Sequence, residues 1–259
     1  MTKDLRAGLE SPRGIYGCFL NSCSLVVADL LAACGYDCLM IDGEHSPVGF
    51  ETAQAMTMAI QGRGTAALMR VAANEPALVK RALDLGIDGI MIPAVSNRAE
   101  AEAAVRAFRF PPEGVRGVAV PVVRASAYGV HTDAYLAEGR HRQLLICQIE
   151  TPEAVASIDE IAAVDGIDML FVGPYDLSAN LGHLGQPDHP DAHAAIARVE
   201  QAAGRAGRWL GTIETAMRPA PALYASGYRM VLGSADLAML RESAMRRIAA
   251  AHGDAGPAS

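Results

Sequence analysis

Eight short apolar runs, each followed by a helix-prone segment, recur along the chain in one unbroken series, and this constrains the fold more than any other feature. The runs are IYGCFL (Ile15 to Leu20), DCLMID (Asp37 to Asp42), TAALMRV (Thr65 to Val71), GIMIP (Gly89 to Pro93), LLICQIE (Leu144 to Glu150), MLFVG (Met169 to Gly173), WLGTIE (Trp209 to Glu214) and YRMVLG (Tyr228 to Gly233). Nearly continuous apolar runs of this length read as strands buried on both faces, the mark of a parallel sheet covered by helices. Between them, Ser24 is placed to cap a helix, Pro76 to open one, and Gly35, Gly62 and Gly86 to end them. Pro219 and Pro221 should delay the helix after the seventh run. Eight β-then-α units predict an α/β fold, a single (β/α)8 TIM barrel. A doubly wound sheet is the alternative. It favours a glycine-rich first turn, and Asn21-Ser22-Cys23-Ser24 has no glycine there.

The domain reading follows. Residues 1–14 are expected to be an irregular lead-in, residues 15–251 the barrel, and residues 252–259 a disordered tail. The rhythm breaks once, at 110–143, where proline and glycine recur without periodicity. That stretch is expected to be an excursion with short helical turns, serving as a lid or a subunit contact.

Composition narrows the class. Of 259 residues, 51% are hydrophobic and 20% charged, which suits a packed globular domain. The net charge of −7 argues against nucleic acid and anionic membranes as partners. The five cysteines show no metal-type spacing and read as reduced packing residues. With no apolar leader at the N-terminus and no bilayer-length apolar run, a cytoplasmic protein is expected.

In a barrel of this type the carboxyl ends of all strands share one face, where chemistry is done. Polar residues gather at those ends: Asp42, Glu44 and His45 after the second run, Arg70 at the third, Gln148 and Glu150 at the fifth, Gly173-Pro174-Tyr175-Asp176 after the sixth, and Thr212 and Glu214 at the seventh. Glu150 and Asp176 close neighbouring strands. Two carboxylates without a nearby cysteine or histidine suit a hard divalent cation, Mg²⁺ or Mn²⁺, with water and substrate oxygens completing the shell. Each could instead cap a helix. Arg70, amid apolar residues, could hold a substrate carboxylate with its planar fork or pair with Asp42. His45 stands three residues beyond Asp42, which could orient its imidazole as a general base; Asp84 could reach it only through the fold or from a neighbouring subunit. His189 and His193 have the spacing of a helical metal pair, but Pro190 between them marks a solvated helix start. Leu232-Gly233-Ser234 could cradle a phosphate, on the weak signal of one glycine.

Four motifs in order, IDGEHSP, LMRV, QIETPEAV and FVGPYDLSANLG, with FPPEGVRG and RASAYG in the excursion, resemble the metal-dependent pyruvate aldolases of the 4-hydroxy-2-oxoheptanedioate and 2-dehydro-3-deoxyglucarate aldolase type. The likeness runs from about Ile15 to Arg247. It implies Glu150 and Asp176 as ligands of a divalent cation (Mg²⁺, Mn²⁺ or Co²⁺). It implies Arg70 and Gln148 as contacts to pyruvate, with the backbone from Gly173 through Pro174 and Tyr175 to Asp176 holding the pyruvate carboxylate. It implies His45, with Asp42 and Asp84, in proton transfer, and a hexamer built as a trimer of dimers that exchange their last helix. Thr212 stands as a further substrate contact. Two positions depart from the pattern. Gly43 replaces a more usual threonine before Glu44-His45 and should loosen that turn, and Tyr175 stands where a small residue is common and should narrow the mouth.

The expected reaction is therefore cleavage or formation of a 4-hydroxy-2-oxo acid, with pyruvate or a close analogue such as hydroxypyruvate as donor and an aldehyde as acceptor. A Schiff-base route needs a buried lysine at a strand end, and the only lysines are Lys3 and Lys80. The alternatives are another carbon–carbon lyase or decarboxylase of the same superfamily, a phosphate-binding barrel isomerase and a non-catalytic binding module.

Overall fold

The computed structural model describes residues 4–253, apart from the side chains of residues 138–142. The elements in order are α1 (Leu5–Glu10), β1 (Ile15–Leu20), α2 (Leu25–Ala33), β2 (Cys38–Asp42), α3 (Phe50–Gly62), β3 (Ala66–Arg70), α4 (Pro76–Asp84), β4 (Gly89–Ile92), α5 (Arg98–Phe108), α6 (Thr132–Arg142), β5 (Leu144–Ile149), α7 (Pro152–Ala156), α8 (Ile158–Ala162), β6 (Met169–Val172), α9 (Pro174–Asn180), α10 (Pro190–Ala206), β7 (Trp209–Ile213), α11 (Ala220–Ala225), β8 (Met230–Ala235) and α12 (Asp236–His252), with a 3₁₀ turn at Arg124–Ser126. The strands pair in sequence order, all parallel, and β1 closes on β8. The predicted barrel is the fold, and the strand ends differ from expectation by a residue or two.

Alternation along the strands sorts the side chains into two cores. Ile15, Phe19, Cys38, Met40, Ala66, Leu68, Leu144, Ile146, Met169 and Phe171 fill the lumen. Their neighbours Cys18, Leu20, Leu39, Ile41, Ala67, Met69, Leu145, Cys147, Leu170 and Val172 pack outward against the helices. This parity continues past the strand ends, so it decides which terminal residue looks into the mouth.

Three expectations need correction. The lead-in is not irregular: Asp4 caps α1 through the amides of Arg6 and Ala7, and Leu5 and Leu9 join the lumen core, closing the end of the barrel where strands begin. The excursion is not a lid over the strand ends. It packs by Gly86, Asp88 and Gln143, which precede β4 and β5, and there lines a cavity of about 520 Å³ with Arg124, Tyr128 and His131. It also carries α6, longer than the short turns expected. The tail expected from residue 252 begins as the end of α12, while residues 254–259, and the disorder expected of them, lie outside the described residues.

Candidate active site

Asn21, Asp42, Arg70, Gln148, Glu150 and Gly173 all follow the lumen parity of β1, β2, β3, β5 and β6. Asp42 lies opposite Arg70 in the β2–β3 register. Arg70 spends its fork on that partner: Nε donates to Asp42 Oδ1 at 3.0 Å and Nη2 to Oδ2 at 2.8 Å. The ion-pair alternative is thus realised, and a bidentate grip on a substrate carboxylate is not available to the same fork. Nη1 stays on the lumen side, 3.4 Å from Gln148 Oε1 and 3.0 Å from Glu44 Oε2. The guanidinium also stacks on Phe19, 4.9 Å from its ring centre.

Asp42 is 1% exposed and fully satisfied, accepting from Arg70, from Asn21 Nδ2 at 2.7 Å and from the amides of Glu44 and His45 at 3.0 and 3.3 Å. Burial works against its charge, yet the hydrogen bonds and charge of Arg70, with those two amides, outweigh burial and hold the carboxyl below its ordinary value. The sign follows. Asp42 contributes stability that is complete above the unfolded carboxylate value, about 3.9, and is lost as pH falls through its lower native value. Acid unfolding followed by far-UV circular dichroism should therefore show a shallower loss of stability below about pH 4 in Asp42→Asn than in the parent.

Asp42 does not orient the imidazole of His45 as expected, because it holds that residue only by the backbone amide. The ring is largely exposed, and its nearest ion-pair partner is Glu44, with Nε2 3.9 Å from Oε2. Glu44 is a carboxylate to which the sequence assigns no role. Burial above all, with the charges of Asp42 and Asp176, raises its carboxyl against the pull of Arg70. Gly43 does not simply loosen this turn. Its amide donates to the Arg70 carbonyl at 2.7 Å, and a Cβ at Gly43 would lie only 2.7 Å from that same oxygen.

Neither candidate carboxylate is a helix cap. Thr151 caps α7 through the Ala154 amide, and Glu150 points into the lumen, 6% exposed. Its Oε1 accepts from the Ala94 amide at 2.7 Å and its Oε2 from Gln148 Nε2. Burial, then the charges of Asp176 and Glu44, raise the Glu150 carboxyl despite the Ala94 hydrogen bond. Asp176 lies in the first turn of α9, whose N-cap is Gly173 without a side-chain bond. Gly173 leaves the space these groups share: a Cβ there would stand 3.0 Å from Gln148 Nε2 and 3.1 Å from Glu150 Oε2. Gly173→Ala should push both side chains and lower turnover about tenfold with little change in melting temperature, measured by steady-state kinetics beside thermal melts.

Other expected residues lie elsewhere. Thr212 shares the outward parity of Leu210, and its hydroxyl donates to the Val172 carbonyl at 3.0 Å, so it does not face the lumen. Glu214 accepts from Tyr16 Oη and the Ala220 amide. Asp84, at the end of α4, pairs with Arg116 at 3.2 Å, at the closed end of its own barrel, and does not meet His45 within one chain. Tyr175 is about half exposed beside Asp176. Leu232-Gly233-Ser234 lies inside β8, not in a turn. His189 caps α10 by accepting from the Asp191 amide, and His193 pairs with Asp188, as a helix start predicts. Among the described residues, His183, His189 and Asp191 bring three potential donor atoms within 4.8 Å of one another. They are already joined by stacking and hydrogen bonds, at a helix N-terminus that disfavours a cation.

Comparison with known proteins gives the lineage. The family described as HpcH/HpaI aldolase/citrate lyase matches residues 15–243. The chain belongs to this family. It is 37% identical over 241 residues to the 5-keto-4-deoxy-D-glucarate aldolase of Shigella dysenteriae, covering 93% of each chain. It is 39% identical to the 2-dehydro-3,6-dideoxy-6-sulfogluconate aldolase of Pseudomonas putida, covering 93% of this chain and 94% of the other. A crystal structure of an HpcH/HpaI aldolase/citrate lyase family protein from Burkholderia cenocepacia superposes with a TM-score of 0.90 at 38% identity, covering 95% of this chain and 98% of that one. The chain is accordingly an aldolase-type carbon–carbon lyase, and the expected class holds.

Proposed function

We propose that the protein cleaves and forms 4-hydroxy-2-oxo acids, with pyruvate or hydroxypyruvate as enolate donor and an aldehyde as acceptor, at a site that takes a divalent cation. One observation carries this reading: in a member of an aldolase family, Asp42, Arg70, Gln148 and Glu150 converge on the lumen face at the strand ends. The residues fit a dication. Glu44, Glu150 and Asp176 crowd negative charge, Arg70 is already shared with Asp42, and Gly173 keeps a space open against Glu150. Glu150 and Asp176 would hold the ion, an all-oxygen set suited to Mg²⁺, Mn²⁺ or Co²⁺.

When bound, the cation supplies positive charge to stabilise the enolate. Arg70 Nη1 and Gln148 face the same space and place hydrogen-bond donors beside the developing oxyanion. In keeping with the resemblance, the backbone from Gly173 to Asp176 receives the donor carboxylate. His45, exposed on its turn, takes the proton of the 4-hydroxyl during cleavage and returns it in synthesis. Asp84 reaches that imidazole only from a neighbouring subunit. Lys80 is exposed on α4, so no Schiff base forms there.

Assembly as a hexamer with exchanged last helices is supported by unpartnered apolar surface. Within α12 only Asp236 is buried, leaving Leu237, Leu240 and Ile248 exposed, and α2 exposes Val26 and Leu30. Cytoplasmic residence is supported by five free cysteines; among the described residues, no helix is long and apolar enough to cross a membrane.

Exchange of solvent deuterium into the methyl group of pyruvate tests enolisation without knowledge of the aldehyde. Exchange that appears with Mn²⁺ and vanishes with a chelator is expected. Absence of exchange at saturating Mn²⁺ would overturn the reading.

A further inference from the structure

The loop between β1 and α2 takes no part in the chemistry above, yet a single buried carboxylate anchors it by three hydrogen bonds. Asp236, the first residue of α12, is 5% exposed and holds it. Its Oδ1 accepts from the Asn21 amide at 2.9 Å, and its Oδ2 accepts from the Ser22 amide at 3.1 Å and the Ser22 hydroxyl at 2.5 Å. The next residue, Cys23, is kept at φ 52°, a conformation that a non-glycine residue holds only when its surroundings impose it. From this clamped backbone the Asn21 side chain, on the lumen parity of β1, donates to Asp42 Oδ2 at 2.7 Å. That oxygen also receives Arg70 Nη2, while Oδ1 receives Arg70 Nε and the turn that carries His45.

We propose that Asn21 and Asp236 are positioning residues for the lyase reaction: a carboxylate on the last helix fixes the first βα loop, whose asparagine amide sets the rotation of Asp42 and so aims Arg70 and the His45 turn. Neither residue touches the reacting atoms. The physical case is geometric. Asp42 Oδ1 is fixed by Arg70 Nε and the amides of Glu44 and His45, but Oδ2, without Asn21, would be held by Arg70 Nη2 alone and free to swing with the guanidinium. A second donor to Oδ2, approaching from β1 on the side of β2 away from β3, removes that freedom and fixes Nη1 against Gln148. Because Asp236 directly follows β8, this clamp belongs to the chain's own barrel whichever subunit the rest of α12 packs against.

This inference rests on the aldolase reading, and the experiment separates the two. Pyruvate methyl exchange is measured with Mn²⁺ for the parent, Asn21→Leu, Asp236→Ala, the double variant and Asp236→Asn, beside Mn²⁺ affinity and thermal melts. Asn21→Leu is near-isosteric and removes the amide whose nitrogen donates to Asp42. Expected are a roughly tenfold fall in kcat/KM in each single variant, carried mostly by KM for pyruvate, and a double variant no worse than either alone. Mn²⁺ affinity should hold in all, and Asp236→Asn, which retains an acceptor for the Asn21 amide, should recover most of the loss. If the parent exchanges and Asn21→Leu matches its kcat/KM, or if the two losses simply multiply, the relay is wrong. A parent that does not exchange would instead remove the reaction itself.

Discussion

Glu150→Gln is expected to reduce Mn²⁺-dependent exchange of the pyruvate methyl group by at least about 10²–10³-fold, while leaving the melting temperature unchanged or slightly higher. The two halves of that result have separate causes. The carboxylate is buried beside the charges of Asp176 and Glu44, and its raised carboxyl shows that ionisation is disfavoured where it stands. A neutral amide of the same shape can still accept the Ala94 hydrogen bond, and relief of the buried charge offsets the loss of the hydrogen bond from Gln148 Nε2. The fold therefore loses little, and what disappears is the negative charge a dication needs. Isothermal titration with Mn²⁺ checks the cause, because weaker binding should accompany the lost turnover. Retained exchange with unaltered Mn²⁺ affinity would show that Glu150 holds no metal.

Arg70→Met should be costly in both respects. Without the guanidinium, Asp42 keeps its charge at 1% exposure with only Asn21 and two amides to offset it. Breaking one side of a buried ion pair typically costs about 3–5 kcal/mol. For a domain of this size that is a fall of roughly 6–20 °C in melting temperature. Exchange should fall by about 10²-fold or more, through loss of the donor on Nη1. Adding Asp42→Asn to Arg70→Met removes the stranded charge and should recover stability without activity. Thermal melts and exchange rates on the three proteins check the separation; a melt unchanged in Arg70→Met would mean that the pair contributes nothing to the fold.

The barrel was legible because continuous apolar runs and helix punctuation act locally: eight buried runs, Ser24 as the cap of α2, and Pro219 and Pro221 at the N-cap and in the first turn of α11 behave as local rules predict. Family membership was legible for another reason, the order of four motifs. Local reading failed where tertiary context decides. Thr212 and Glu150 both end strands, and only parity relative to the lumen distinguishes them; carried through from Leu210, it would have turned Thr212 outward. Glu44, named among the polar residues at the strand ends, received no role because Asp42 and His45 beside it offered familiar ones. Asn21 and Asp236 are 215 positions apart, and no pattern in a single sequence announces that one clamps the other. Asp84 shows the same limit in reverse: expected to reach His45 only through the fold or from a neighbouring subunit, it pairs within the chain with Arg116 at the opposite rim.

The short amphipathic segment that sets Leu5 and Leu9 into the foot of the cylinder gives it one doorway. Reactants then form a queue. Whatever rests lowest, beside Glu150 and Gln148, must arrive before its partner covers it and depart after that partner has gone. For the lyase proposed here, this means the two-carbon-plus-carboxylate fragment enters first in synthesis and leaves last in cleavage, so product inhibition by pyruvate should be competitive with the aldol substrate, while that by the aldehyde should not.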